Sequence, residues 1–261
     1  MSAKQEFLTG EHALAWDDPE VARLYRHRLE YPAALFDLLL DLIGRERPVV
    51  LDAGAGTGAI ARHLAPRVER VDAVDPALPM IEAGRVLPGG ADPRLRWIHA
   101  PAETATLDGP YGLITTSQSL HWMDWQIVLP RFAAALAPGA RLAIIDDPEE
   151  PGPWHEELRA IIARYSIMRT YHHQYALIPE LERLGLFVRE GEQYVPPVTV
   201  TQPVDDYVAS FHARSSLARH RIGAAAAARF DAEVRALVGD RRVVERGIGG
   251  RIVYGRPVDR P

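Results

Sequence analysis

The chain reads as an α/β protein built on a doubly wound, mainly parallel sheet with helices on both faces. Three observations predict it. Short apolar runs of strand length alternate with helix-spaced segments five times between residues 48 and 146. The first run, Pro48-Val-Val-Leu51, stops in Asp-Ala-Gly-Ala-Gly-Thr-Gly58, as a fully buried strand entering a glycine turn does. Finally, 261 residues at 47% hydrophobic and 25% charged suit one large domain, or a core with a cap.

Each element follows in order. Val21, Leu24 and Tyr25, then Leu35, Phe36, Leu39, Leu42 and Ile43, recur at helical spacing over residues 20–43, with Pro32 near a helix start. After the first strand, 59–64 is helical, 71–74 is a second strand and 80–85 opens a helix. Residues 96–99 make a third strand and 112–116 a fourth. Residues 124–136 form an amphipathic helix stopped by Pro138-Gly139, and 142–145 is the fifth strand. The rhythm changes after Asp147. A proline-rich loop at 148–153 precedes helical stretches at 154–165 and 178–184. Phe187-Val188 opens a strand, 204–238 holds two helical stretches, and 250–255 is a last strand.

Composition excludes several classes. With no cysteine, there is no disulfide, thiolate nucleophile or Cys-ligated metal. Residues 1–20, with Lys4 and a short apolar stretch around Phe7-Leu8, show no secretory pattern, and no apolar run approaches a membrane span. A cytoplasmic protein without a membrane partner is expected. The net charge is −5; residues 205–261 hold eleven Arg against seven acids, a balance of +4, which leaves −9 for residues 1–204. A polyanion-binding domain is usually net basic with a clustered stripe, so no nucleic-acid partner is expected.

The glycine turn does one physical job. Its glycines let the backbone turn tightly and approach a ligand with no Cβ in the way. The helix starting near Ala59 then aims its unpaired amides at that ligand. Asp75 ends the next strand, 21 residues beyond Gly54, where a carboxylate accepts both hydroxyl protons of a ribose. Gly54-x-Gly56-x-x-Ala59 also satisfies the dinucleotide fingerprint, so a nicotinamide cofactor competes with S-adenosylmethionine at this point. Three details favour the latter. Asp52, two residues before Gly54, suits a ligand ammonium group, Gly58 adds a third alternate glycine, and further segments at 75–80, 101–107 and 113–122 accompany the turn.

With those segments the chain resembles the class I S-adenosylmethionine-dependent methyltransferases, of the small-molecule type that includes trans-aconitate-methyltransferase-like enzymes. The residues that carry the resemblance are Val50-Leu-Asp-Ala-Gly-Ala-Gly-Thr-Gly58, Val74-Asp-Pro76 with Met80, Pro101-Ala-Glu103, Ser117-Gln-Ser-Leu-His-Trp122 and Ala135-Leu-Ala-Pro-Gly139. It implies a seven-stranded Rossmann-like sheet, a helical cap and S-adenosyl-L-methionine as cofactor. It divides the chain into N-terminal lid helices at 1–46, a cofactor-binding core at 47–147, a cap and substrate insertion with part of the core at 148–245, and the last core strand at 246–261. It sets Gly54, Ala55 and Gly56 against the methionine part, Asp75 at the ribose, and Pro76 and Met80 about the adenine. Ala102 and Glu103 would read the adenine edge, and Ser117 to Ser119 would pass under the methionine and sulfonium. Many relatives carry an Asp where this chain has Pro101, which makes Glu103 the candidate for the lost adenine contact.

The acceptor is narrowed by elimination. Cytosine-C5 transfer needs the missing cysteine. The Asp/Asn-Pro-Pro-aromatic motif is absent after the fourth strand, and no acid there completes an oxygen-ligand set with Asp146-Asp147, so no metal is expected. His121 follows the fourth strand, where open parallel sheets bind ligands, and is the candidate catalytic group; the alternative is packing with Trp122 under the cap. Tyr25, Arg28 and Tyr31, in the segment resembling the lid, are substrate candidates. Arg28 either takes a carboxylate through a two-pronged bond or pairs with Glu30 or Asp37. His172 and Tyr175 complete the set. Methyl transfer to a small molecule is expected, oxygen of a carboxylate or hydroxyl before nitrogen. A non-catalytic S-adenosylmethionine-binding protein and a nicotinamide-dependent oxidoreductase are the rivals.

Overall fold

Pro32 divides the first helical region. Its ring disfavours helical backbone at the residue before it. In the computed structural model, which describes residues 14–43, 48–146, 152–168 and 177–259, Arg28 and Pro32 are both extended. The spacing over 20–43 therefore resolves into α1 (Pro19–Leu24) and α2 (Ala33–Leu42), with 3-10 turns at Leu14–Asp17 and Tyr25–His27. Asp18 caps α1 by accepting from the amides of Glu20 (2.7 Å) and Val21 (3.2 Å).

The core then runs β1 (Val49–Ala53), α3 (Ala61–Leu64), β2 (Arg70–Asp75), α4 (Leu78–Arg85), β3 (Leu95–His99), β4 (Tyr111–Ser117), α5 (Trp125–Ala135) and β5 (Leu136–Asp146). The second half adds α6 (His155–Tyr165), α7 (Leu177–Arg183), β6 (Phe187–Pro203), α8 (Val204–Phe211), α9 (Arg219–Ile222), α10 (Ala224–Val238) and β7 (Val243–Pro257). Pro138-Gly139 does not stop α5. That helix has already ended at Ala135, and Leu136 is extended and opens β5.

One sheet takes all seven strands in the order β3-β2-β1-β4-β5-β7-β6. β1 lies parallel to β2 and β4, β2 to β3, and β4 to β5, while β7 runs antiparallel between β5 and β6. The mainly parallel, doubly wound, seven-stranded sheet is thus as expected. The chain steps outward from β1 to β3 and returns to β4, so β1 and β4 flank the reversal point where open α/β sheets bind ligands.

Alternate residues of each strand feed opposite faces. Leu51, Ala53, Ile114 and Ile144 pack with Val128, Leu129 and Phe132 of α5 and Leu181 of α7. Val50, Leu113, Ala143 and Ile145 pack with Leu35, Phe36 and Leu39 of α2 and Leu64 of α3. A third cluster stands apart: Ile161 of α6, Val208 and Phe211 of α8 and Phe230 and Val234 of α10 build a helical unit of their own. Among the described residues no helix is long and apolar enough to cross a membrane.

Asp72 is a charged residue buried in β2 (0% exposed), and its neighbours explain it. Its carboxylate takes Arg70 (3.0 Å), Arg96 (2.9 Å) and the Tyr111 hydroxyl (2.8 Å), which ties β2 to β3 and β4. In Asp72→Ala the half-exposed arginines regain water but the buried Tyr111 hydroxyl cannot. The expected loss is about 2 kcal/mol, read from urea unfolding.

Candidate active site

The sheet's carboxyl ends and the N-terminal segment enclose a cavity of about 300 Å³. The glycine turn forms its floor. Gly54 has φ +70°, and a Cβ there would lie 2.4 Å from that of Ser119, so no other residue fits. The amides of Gly54 (2.8 Å) and Ala55 (3.0 Å) donate to the Val74 carbonyl, which pins the turn to the end of β2. Gly84 of α4 packs onto the turn from behind; a Cβ there would stand 2.7 Å from the Thr57 carbonyl oxygen.

Two buried carboxylates face the cavity. Asp75 accepts from the amides of Gly56 (2.7 Å) and Ala77 (2.8 Å). Burial pushes its carboxyl above the usual range, against the pull of those two amides. Asp52 accepts from the Thr115 hydroxyl (2.9 Å) and the Ala61 amide (3.2 Å). Burial is the largest effect on it too, and with the nearby Asp75 charge it pushes the carboxyl up to about 7. One expectation is corrected here. The helix begins at Ala61 rather than Ala59, and the Ala61 amide goes to Asp52 instead of toward a ligand.

The remaining wall comes from distant segments. Gly54, Ala55, Gly56, Pro76, Met80, Ala102, Glu103 and Ser117, all expected at a cofactor, line this one cavity with Asp52 and Asp75. Glu103 does so with its carboxylate engaged, since Oε1 accepts from the Asp124 amide (2.9 Å) ahead of α5. Tyr25, Arg28 and Tyr31 of the N-terminal segment also line the cavity. The Tyr31 and Ser117 hydroxyls are 2.8 Å apart. The Arg28 guanidinium sits over the Tyr25 ring, 5.1 Å from its centroid, while Glu30 and Asp37, its expected alternatives, pair with Arg62 (3.0 Å) and Arg67 (2.9 Å).

His121 is not part of the cavity wall, although its neighbours Trp122 and Met123 are. The 3-10 turn Leu120–Trp122 carries it, and its ring lies 4.9 Å from that of Trp122. His172 and Tyr175 lie outside the described residues. Sequence reasoning missed Trp16 and Arg62, and the backbone conformation of Gln118. Trp16 reaches the wall from the first 3-10 turn and packs edge-on against Trp122 at 5.0 Å. Gln118, with φ +53°, is the one non-glycine in the left-handed region among the described residues. That strain falls between two serines of the wall and no sequence pattern signals it.

Residues 50–139 match a family model described as a methyltransferase domain. The core of this chain is a methyltransferase domain. The match runs from β1 to the start of β5, so it contains the glycine turn, Asp75 and Ser117. An uncharacterized methyltransferase of Mycobacterium tuberculosis is 35% identical over 141 residues, 53% of this chain and 55% of that protein. The chain thus spans about half the length of the curated relatives it matches. A solved structure from Anaeromyxobacter dehalogenans, described as a proposed type II methyltransferase, superposes with TM-score 0.62 at 26% identity, covering 88% of this chain and 97% of that one. The YcgJ protein of Bacillus subtilis shares the fold (TM-score 0.53, 15% identity, 87% of this chain and 99% of that one covered).

Proposed function

We propose that this protein transfers a methyl group from S-adenosyl-L-methionine to a small molecule, with an oxygen acceptor and a carboxylate foremost. One observation carries the reading: the segments at 52–56, 75–80, 101–103 and 117, apart in sequence, line a single cavity at the sheet's reversal point. The residues fit the cofactor. Asp52 is a buried carboxylate suited to an ammonium group, Asp75 is a buried carboxylate that would accept from ribose hydroxyls, and Gly56 leaves a cradle in which a Cβ would press on Met80 at 3.3 Å. When bound, the cofactor supplies an activated methyl on its sulfonium, and the protein's task is alignment and exclusion of water.

The wall favours an acceptor that carries its own nucleophilic charge. Among the described residues that line the cavity none is His or Lys, the carboxylates of Asp52, Asp75 and Glu103 are engaged with amides or a hydroxyl, and that of Glu30 is paired with Arg62. A carboxylate acceptor needs no base. His121→Ala is then expected to keep kcat within threefold and cofactor affinity unchanged, read from initial rates with a panel of acids and phenols. A hundredfold fall in kcat would make the acceptor a hydroxyl with His121 as its base.

The direct test of the cofactor is calorimetric titration with S-adenosylhomocysteine beside NADH on one sample. Micromolar binding of S-adenosylhomocysteine alone is expected. Binding of NADH alone would overturn the site assignment in favour of a nicotinamide enzyme.

A further inference from the structure

Arg62 is an unusual cation. Its side chain is only 4% exposed and it borders the cofactor cavity. Two of its three nitrogens are held by core carbonyls: Nε donates to Thr57 in the glycine turn (2.9 Å) and Nη1 to Pro88 after α4 (2.7 Å). The guanidinium is therefore oriented by the core alone. Its remaining nitrogen, Nη2, reaches out to Oε1 of Glu30 (3.0 Å). Glu30 belongs to the extended stretch just before Tyr31-Pro32 and lines the same cavity.

The pair is asymmetric. Glu30 is 55% exposed, so its carboxylate can turn to water at little cost. Arg62 cannot follow, and without its partner a buried charge loses its counter-ion. Lifting the segment that bears Tyr25, Arg28 and Tyr31 off the cavity breaks this contact, which biases the segment toward closure. His63 stands 3.5 Å from the other Glu30 oxygen, its ring stacked on Phe36 at 4.5 Å. Burial keeps its imidazole below the ordinary range, despite the pull of Glu30, so the charge in the contact is that of Arg62. The segment has further ties: the Tyr31 hydroxyl lies 2.8 Å from that of Ser117 in the cavity wall, His27 contacts Asp206 (3.1 Å), and the His27 carbonyl accepts from Gln202 (2.6 Å).

We propose that Glu30 is a positioning residue which, through Arg62, latches the N-terminal segment over the bound cofactor and sets the rate at which it leaves. The proposal rests on the cofactor reading above. It predicts a kinetic signature. Release requires the segment to open, so loss of the latch raises the off-rate, while entry uses the same open form and is not slowed.

The test is stopped-flow displacement of bound S-adenosylhomocysteine, followed by the fluorescence of Trp16 and Trp122 in the cavity wall. Glu30→Ala and Glu30→Gln are expected to raise the off-rate at least tenfold without slowing the on-rate, and Glu30→Asp to restore the off-rate in large part. The wild-type off-rate should rise with added KCl, and that of Glu30→Ala should not. An off-rate within twofold of wild type in Glu30→Ala, whether or not Tm falls, overturns the latch and leaves the cofactor reading intact. Failure of wild-type protein to bind S-adenosylhomocysteine overturns both.

Discussion

Asp75→Ala is expected to weaken S-adenosylhomocysteine binding at least a hundredfold, about 2.7 kcal/mol. Two losses combine. On the proposed reading the carboxylate would accept the ribose hydroxyl protons, and charge-assisted bonds of that kind contribute about 1.5–3 kcal/mol each. It also holds the Gly56 amide at 2.7 Å and the Ala77 amide at 2.8 Å, so its removal frees the cavity floor. Asp75→Asn keeps one acceptor oxygen and should fall between the two. Calorimetry of the three proteins checks the order, with thermal unfolding alongside. Affinity within threefold of wild type in a folded Asp75→Ala protein would remove the ribose assignment.

The affinity of the wild-type protein for S-adenosylhomocysteine is expected to climb with pH and level off above about pH 7. Asp52 is the cause. Burial raises its carboxyl from 3.8 to about 7, so below that pH the site is mostly neutral. A ligand ammonium group binds the ionised form, which costs a proton on binding and makes the affinity rise toward tenfold per pH unit on the acid side. Asp52→Asn should bind more weakly and with a flat pH profile. The same group acts on stability in the opposite sense. Because its folded pKa lies above the unfolded one, the stability it contributes is fully present below about pH 4 and is lost as pH rises through 7. Asp52→Asn removes that loss and should be the more stable protein at pH 8, by a margin on the order of 4 kcal/mol. Titrations between pH 5 and 8, paired with urea unfolding at pH 5 and 8, measure both effects.

The strands legible in the sequence are those buried on both faces. Val49–Ala53 is buried at every position, and its apolar run Val49-Val-Leu51 leads into the buried Asp52. β6 is the opposite case: it is an edge strand, most of its 17 residues are exposed or half-exposed, and register shifts interrupt its pairing with β7. With no buried face to enforce alternation, only Phe187-Val188 marks its beginning. The two prolines in its middle, Pro196-Pro197, are tolerated because an edge strand has one side without ladder bonds. The helical unit of α6, α8 and α10 was legible as helix but not as a separate packing cluster, since amphipathic spacing shows that a face is buried and not against what.

The sequence by itself determined the order of strands and helices, the glycine turn and the presence of Asp52 and Asp75 beside it. These depend on backbone preferences and chemistry spread over a few neighbouring residues. Only the tertiary structure decided how the carboxylates and cations are spent. Glu103 is held at the Asp124 amide, Glu30 goes to Arg62 rather than Arg28, Trp16 meets Trp122 in the cavity wall, and His121 stands beside that wall rather than in it. Each outcome turns on which segment arrives opposite a given side chain, and that is set by the sheet order and the crossing of the N-terminal segment. Local periodicity records which face of an element is buried; it carries no record of the partner that buries it.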